Sequence, residues 1–302
     1  MNTEPSWDLY RTFAAVLREG SLSAAARVLG LTQPSVARHV EALEQAVGGT
    51  LFLRSQRGLS PTDRALTLQP YAEDMLATAA ALLRTASADR GAVAGTVRIT
   101  ASDVVATEHL PPVLAAMRRR YPGLSMELVA SDTIDDLLQR RADIAIRMVE
   151  PTQQALVARK LGVLPLGLYA HRDYLALRGI PGSIAALAEH DLIGVDSNGS
   201  FARAVLGALP GLAHADFALR VDNTVVQLAA IRAGFGIGIC QEVLAARDAT
   251  LERVLPDAFA FDLPLWIVMH EDLRSNARYR AVFDALVEGL EPAVTMPVAS
   301  RP

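Results

Sequence analysis

Apolar positions recur at helical spacing in three short stretches of the first fifty residues. In the first stretch Leu9, Phe13 and Val16 share one face, and Gly20 follows where a left-handed residue would end a helix. A short alanine-rich stretch comes next. We expect the hydroxyl of Ser23 to cap the free backbone amides at its start. The pattern therefore predicts two amphipathic helices in close succession.

The third stretch follows a three-residue turn, residues 30–32. Thr32 can cap the new helix, and Pro34 falls in its first turn, where a missing backbone N–H has no helical partner to lose. One apolar stripe follows at positions i, i+4 and i+7: Val36, Val40 and Leu43. At about 100° per residue, Pro34 and Arg38 lie on the opposite side of the helix. We predict that the stripe packs inward and that Arg38 faces solvent.

Two short helices joined by a glycine-containing turn are the arrangement that lays the second helix in the major groove of DNA. The amide, hydroxyl and guanidinium of Gln33, Ser35 and Arg38 suit base edges and phosphates. Residues 51–59 then predict a strand, a turn and a return strand, a wing whose arginines touch phosphates. The predicted DNA-contacting residues are Ser23, Thr32, Gln33, Pro34, Ser35, Arg38, Arg54 and Arg57. The plainer alternative is a three-helix bundle in which Arg38 is simply solvated.

Residues 63–87 are rich in Ala and Leu and predict one long helix with an apolar face. About 25 residues span about 37 Å, which is too exposed to be stable alone, so we expect the face to pair with a second copy. Pro70 predicts a kink. The predicted dimerisation residues are Leu66, Met75, Leu76, Ala79 and Leu83. Packing on the same chain is the alternative. Residues 88–95 resemble a hinge.

The remaining two thirds of the chain alternate between strand and helix patterns. Residues 97–101, 126–129 and 143–147 predict strands separated by helices over 103–120 and 134–139, which indicates βαβ units with a parallel sheet. A second set follows, with strands near 164–170, 192–195, 219–221 and 237–240 and helices near 184–188 and 224–233. The chain returns through a strand at 265–269 and a last helix at 277–290. This order predicts two α/β lobes that exchange strands.

Hydroxyl, amide and guanidinium side chains recur where the predicted strands end. Ligands of open α/β sheets bind beyond the carboxyl ends of strands, where helix N-termini present free amides. The candidate ligand-binding residues are Thr100, Ser102, Thr133, Arg147, Ser197, Asn198, Asn223 and Thr224. This chemistry suits a small anion such as a carboxylate, although each hydroxyl taken alone could be only a helix cap.

Composition narrows the class of protein. The chain has 302 residues, 51% of them hydrophobic, and a net charge of −4, so we expect two or three folded units and exclude disorder as the main state of the chain. Residues 1–62 hold six arginines and five acidic residues, a net of +1, which favours DNA binding as a dimer or larger assembly.

A single cysteine, Cys240, excludes internal disulfides, and we interpret it as a small buried hydrophobic residue rather than a redox sensor. No signal peptide or spanning segment is visible, so we expect a cytoplasmic protein with no membrane partner.

Sequence motifs of other chemistry are missing. The lone lysine, Lys160, precedes a leucine, so no phosphate-binding GK[ST] loop exists, and the scattered histidines favour no metal site. Residues 234–238 lack the glycine spacing of a dinucleotide fingerprint, and we attribute their glycines to backbone crowding. We therefore predict no cofactor and no catalytic residues.

The stretch GSLSAAARVLGLTQPSVARHVEALE, followed by LFLRSQRG, resembles the winged helix-turn-helix of LysR-type transcriptional regulators. LPPVLAAMRRRYPGLSMELVASDTIDDLLQRRADIAIR and VDNTVVQLAAIRAGFGIGI resemble the family's two-lobed, periplasmic-binding-protein-like effector domain. The resemblance implies an effector pocket between the lobes at the positions of Ser102, Thr133, Arg147 and Thr224. The expected fold class is α/β with a winged helix-turn-helix N-terminal domain. Expected boundaries are 1–62 for that domain, 63–90 for a dimerising linker helix and 91–302 for the effector domain, with lobe I at 91–161 and 268–302 and lobe II at 162–267.

The resulting hypothesis is a regulator that reads a dyad-symmetric DNA site as a homodimer or dimer of dimers and responds to a small, anionic effector. RNA polymerase is left open as a further partner. One alternative is a regulator that ignores small molecules. Another is a solute-binding protein or small-acid enzyme on the same two-lobed fold, for which Asp103, Glu108 and His109 would be the candidate acid and base groups.

Overall fold

The computed structural model describes residues 4–55, 58–86, 93–131, 141–151, 156–195 and 217–295. The chain divides into two compact units. The first is Met1–Ala86 with Gln139–Arg141, and the second is Ser87–Leu138 with Ala142–Pro302.

Helices dominate the first unit. Its described elements are α1 (Trp7–Glu19), α2 (Leu22–Leu29), α3 (Gln33–Val47), β1 (Phe52–Ser55), β2 (Gly58–Pro61) and α4 (Asp63–Ala86). Glycine ends each of the first three helices in the left-handed conformation, as at Gly48 with a φ of 69°. The apolar stripe of α3 is buried against the other helices, and β1 and β2 pair antiparallel as the predicted wing. These local predictions are confirmed.

The predicted cap of α2 is wrong. Ser21 rather than Ser23 is the cap, because its hydroxyl accepts the backbone N–H of Ala24 at 3.2 Å. Ser21 has the extended backbone that a cap requires, with φ −153° and ψ 147°. Ser23 lies inside the first turn with an exposed side chain. Two serines precede the alanines, and only the backbone conformation decides between them.

The second unit is built on a mixed sheet. In the described part of the chain this sheet has seven strands in the order β10-β6-β11-β5-β3-β4, with β9 also paired to β6. The strands are β3 (Gly95–Ala101), β4 (Leu124–Ala130), β5 (Ile144–Arg147), β6 (Leu156–His171), β9 (Gly238–Gln241), β10 (Leu251–Val254) and β11 (Phe261–His270). Two further strands, β7 (Ile193–Val195) and β8 (Leu219–Val221), pair in parallel.

Helices cover this sheet. They are α5 (Leu110–Arg120), α6 (Arg172–Arg178), α7 (Thr224–Arg232), α8 (Glu242–Ala245) and α9 (Ala277–Leu290). A π-helical segment, Val105–His109, leads into α5, and 3₁₀ turns lie at Ala185–Glu189, Glu271–Leu273 and Glu291–Ala293. Among the described helices, none combines the length and the apolar character that crossing a bilayer demands.

The sheet departs from the prediction beyond its first three strands. β3 runs parallel to β4 and β5 as expected, but β6 runs antiparallel to β9, β10 and β11. β6 also begins eight residues earlier than predicted, because its polar start, including Arg159 and Lys160, conceals a stretch that pairs with β11. The first half of β6 pairs with β11 beside β5, and its second half also pairs with β9 and β10. α6, α8 and β10 were not predicted, and the helix predicted at 134–139 lies outside the described residues.

The glycines of residues 234–238 serve close packing, as predicted. A Cβ on Gly236 would lie 2.0 Å from the carbonyl oxygen of Asp191, and Gly234 has a φ of +75°. The segment joins α7 to β9, so it enters a strand instead of a helix.

Candidate functional site

The outward face of α3 carries most of the predicted DNA-reading side chains. Gln33, Pro34 and Arg38 are exposed, opposite the buried stripe of the same helix. Thr32 caps the helix, and its hydroxyl oxygen accepts the Ser35 backbone N–H at 3.3 Å and lies 2.8 Å from the Ser35 hydroxyl. A polar, exposed helix start of this kind can place an amide, a hydroxyl and a guanidinium against base edges.

α3 is held in place by polar contacts that the sequence did not suggest. The hydroxyl of buried Thr12 on α1 lies 2.8 Å from Nδ1 of His39. At the other end, the Glu44 carboxylate accepts the backbone N–H groups of Leu51 at 2.6 Å and Phe52 at 3.2 Å. Glu44 therefore ties α3 to the first strand of the wing. Nothing in its spacing marked it for this role.

Of the two predicted wing arginines, the structure describes only Arg54. Arg54 lies within β1, opposite Leu59 of β2. Arg57 falls outside the described residues. The base of the wing is closed by the Thr62 hydroxyl, which donates to the carbonyl oxygen of Thr50 at 3.0 Å.

Apolar side chains of α4 stand exposed along its length. Of the predicted dimerisation residues, Leu66 and Leu83 are exposed, Leu83 by 68%, and Met75, Leu76 and Ala79 are half-buried. Leu82 is also exposed. Exposed apolar patches of this kind mark interaction surfaces in soluble proteins.

In the second unit, two of the predicted ligand-binding residues meet at the ends of β3 and β5. The Arg147 guanidinium donates to the Thr100 hydroxyl at 2.9 Å, and both side chains are buried. Ser102 follows β3 and is 6% exposed, and its hydroxyl has no hydrogen-bond partner among the described residues. A buried hydroxyl without a partner calls for an explanation, and a bound ligand is one.

The start of α7 brings in Asn223 and Thr224. Asn223 caps the helix, with its Oδ1 accepting the backbone N–H groups of Val225 at 2.8 Å and Val226 at 3.2 Å. Its Nδ2 donates to Oδ2 of Asp103 at 2.6 Å. Thr224 begins the helix and is half-buried. The remaining predicted residues, Thr133, Ser197 and Asn198, lie outside the described residues.

Three polar pairs join the segment after β3 to the two ends of α7 and to β9. We call them the inter-lobe brace, because the expected lobe boundary at 161/162 separates their partners. They are Asp103 with Asn223, Glu108 with Arg232, and His109 with Gln241. Arg232 holds Glu108 through two hydrogen bonds, at 2.8 and 3.0 Å, and this contact lowers the pKa of the Glu108 carboxyl.

His109 is buried within the brace. Its Nε2 lies 2.7 Å from Oε1 of Gln241, and burial lowers the pKa of the imidazole. The three acid and base candidates of the enzyme alternative are therefore each engaged by a residue of the other lobe. The π-helical turn that carries Glu108 and His109 was not predicted.

Cys240 lies at the end of β9 among apolar neighbours. The side chain is buried, and burial raises the pKa of its thiol to about 12. A thiol that stays protonated at neutral pH is a poor nucleophile, which agrees with a small buried hydrophobic residue.

Two family models match this chain. "Bacterial regulatory helix-turn-helix protein, lysR family" matches residues 7–66, and "LysR substrate binding domain" matches residues 90–291. The chain is 28% identical over 283 residues to the HTH-type transcriptional regulator CrgA of Neisseria meningitidis serogroup C (strain 8013), covering 92% of this chain and 95% of that protein. It is 32% identical over 178 residues to the HTH-type transcriptional activator AaeR of Escherichia coli (strain K12), covering 59% of this chain and 58% of that protein.

Solved structures agree with these matches. The structure of CrgA from Neisseria meningitidis superposes with a TM-score of 0.61 at 27% identity and covers 95% of this chain and 99% of CrgA. Full-length CbnR in complex with its target DNA gives a TM-score of 0.64 at 21% identity, covering 94% and 99%, a likeness of fold alone. Since both family models match in chain order on a winged helix-turn-helix and a two-lobed α/β domain, the chain belongs to the LysR family of DNA-binding transcriptional regulators.

Proposed function

We propose that two copies of this regulator present their α3 helices to a dyad-symmetric DNA site, and that a small molecule bound between the lobes modulates them. The proposed domains are 1–62 for DNA binding, 63–90 for the linker helix and 91–302 for the effector domain. The proposed lobe boundaries, at 161/162 and 267/268, fall inside β6 and β11, the strands that both lobes use.

The observation that carries DNA reading is the two-sided character of α3. Its buried side is wholly apolar, while Gln33, Pro34 and Arg38 are exposed on the other side. A structural helix needs no such set of base-reading groups at its N-terminal end, whereas a helix in the major groove does. The fold is shared with CbnR, whose structure is a complex with target DNA, and this likeness supports DNA binding by the proposed regulator.

Pairing of copies is supported by α4. Exposed leucines on a helix of 24 residues leave apolar surface that a second copy would cover. The weak net charge of one N-terminal domain also favours pairing of two copies, because two domains double the number of phosphate contacts.

A small-molecule effector is supported by the buried Ser102 hydroxyl, which has no hydrogen-bond partner in the described part of the chain, and by the pair of Arg147 and Thr100. The guanidinium of Arg147 is the group of this site that would bind an effector carboxylate. A ligand-independent regulator is the second candidate, and the inter-lobe brace favours it, since protein groups alone already join the lobes.

DNA selection tests the proposal. Genomic fragments captured by the full-length protein are sequenced to define the preferred site, and affinity is then compared for that site and for random duplex DNA. Arg38→Ala should cut the preference for the site about 5-fold or more, because a bidentate base contact contributes about 1–3 kcal/mol of discrimination. Arg11→Ala, which removes an exposed arginine of α1, is the matched control and should leave the preference unchanged. An Arg38→Ala variant with undiminished preference would show that another surface reads the bases.

A further inference from the structure

The carboxylate of Asp103 occupies an unusual position, between the starts of two helical segments. Asp103 begins the helical turn after β3, where the backbone N–H of Ala106 donates to the carbonyl oxygen of Ser102 at 2.8 Å. Its Oδ2 accepts from Asn223, the cap of α7, at 2.6 Å. Free backbone amides give helix starts a partial positive charge, which attracts anions.

Asn223 is fully oriented by this arrangement. Its oxygen faces the backbone amides of Val225 and Val226, so its nitrogen must face Asp103. The side-chain amide of Asn223, which the sequence analysis assigned to effector binding, therefore already binds an anion of the protein itself, the Asp103 carboxylate.

Asp103 is also one end of the inter-lobe brace. At the other end, Glu108 pairs with Arg232 through two hydrogen bonds and His109 with Gln241 through one. The segment after β3 is therefore attached to the opposite lobe at its first turn and again at residues 108 and 109. Both attachments are made by side chains of the protein itself.

We propose that the Asp103 carboxylate is a built-in anion that bridges the lobes and excludes a ligand carboxylate from the Asn223 end of the effector site. The inference rests on the proposed effector function and deepens it. A ligand at this end is neutral or cationic and offers hydrogen-bond donors, because it faces the Asp103 carboxylate. The buried Ser102 hydroxyl, free of partners among the described residues, is the neighbouring protein group for such a ligand. An effector carboxylate, where there is one, points to Arg147.

Chemical rescue with acetate and formate tests the proposal on the full-length protein. Thermal unfolding midpoints are measured in sodium chloride, sodium acetate and sodium formate at equal ionic strength. Asp103→Ala should unfold at a lower temperature than the wild type in chloride, and formate or acetate should restore most of the difference with saturation, since either can occupy the vacated carboxylate position. The wild type should show no carboxylate-specific shift. Asp222→Ala, which removes an exposed neighbouring carboxylate, should behave as the wild type does.

Asp103→Ser keeps a polar residue in the first helical turn, so it covers the case in which the alanine variant does not fold. Equal stabilisation of wild type and variants by carboxylates would overturn the proposal, and so would folded variants that neither salt stabilises. Selective DNA binding is measured on the same samples. If the wild type does not bind DNA selectively, the proposed function is refuted. The effect of acetate and formate on the unfolding temperature still tests the proposed role of the Asp103 carboxylate.

Discussion

Replacing Glu44 by alanine removes the carboxylate that ties the end of α3 to the start of the wing. In the wild type its Oε1 accepts two backbone N–H groups, from buried Leu51 and from Phe52. Both amides begin the strand that leads into the wing, and β1 has only β2 as a partner strand among the described residues. The substitution therefore releases the wing from the recognition helix without touching the surface proposed to meet DNA.

The magnitude follows from those two hydrogen bonds. A hydrogen bond to a charged group contributes about 1.5–3 kcal/mol, and a buried N–H left without a partner costs about 1–3 kcal/mol. The contributions overlap, so we expect Glu44→Ala to lower the free energy of unfolding of the first unit by about 2–3 kcal/mol. Glu44→Gln keeps an acceptor oxygen but not its charge, and a decrease of about 1 kcal/mol is expected.

Unfolding by urea measures this decrease in a Trp266→Phe background, where Trp7 of α1 is the remaining tryptophan. Affinity for random-sequence duplex DNA then separates two explanations. Removing a negative charge from α3 should strengthen binding to phosphates if charge alone matters, and Glu41→Ala, an exposed site on the same helix, should show that gain. Glu44→Ala should instead weaken binding, because the wing is no longer held in its orientation. The log–log slope of affinity against salt should flatten by about 0.9 for each phosphate that the variant no longer neutralises.

Glu44→Gln should retain most of the affinity, since the amide oxygen still accepts both N–H groups. Tighter DNA binding by Glu44→Ala, matching that of Glu41→Ala, would refute the proposed tie between helix and wing. Gln and Ala variants that are indistinguishable in both stability and affinity would refute it equally.

Two further predictions concern the brace and the linker helix. Because the folded protein depresses the pKa of His109 while the unfolded chain takes up its proton near the ordinary value, about 6.5, the wild type should lose stability as pH falls below that value. Burial is the main cause, Arg247 adds to it, and the Gln241 contact opposes it. The free energy of unfolding is measured in urea between pH 8 and pH 5, about the range in which an imidazole titrates. The amount by which the wild type is more stable than His109→Gln should decrease as the pH falls. A stability difference that does not change with pH would contradict this prediction. Leu83→Glu should shift the full-length protein towards monomer in analytical sedimentation. The control Leu177→Glu, at an 83% exposed site on α6, should leave the oligomeric state unchanged. If both variants have the same oligomeric state, α4 does not form the interface between copies.

Much of the first unit could be predicted from the sequence because its signals are local. The glycines that end α1, α2 and α3, the Thr32 cap and the buried stripe of α3 all depend on groups within a few residues of one another. The last helix, α9, also has the predicted bounds. Helix phase and most caps are set by such short-range geometry, so spacing predicts them, except at α2, where spacing did not distinguish Ser21 from Ser23. The resemblance to the family's winged helix-turn-helix rested on the same segments of the first unit.

Tertiary structure decided the pairings between distant residues. β6 becomes one strand of sixteen residues because β11 lies beside its polar first half, about 100 residues away in sequence. Glu108 meets Arg232 across 124 positions, and Asp103 meets Asn223 across 120. Each side chain alone is an ordinary charged or capping residue. Only the folded chain sets the distance and burial that make it a contact between lobes, because electrostatic and hydrogen-bond energies depend on separation in space and not along the sequence.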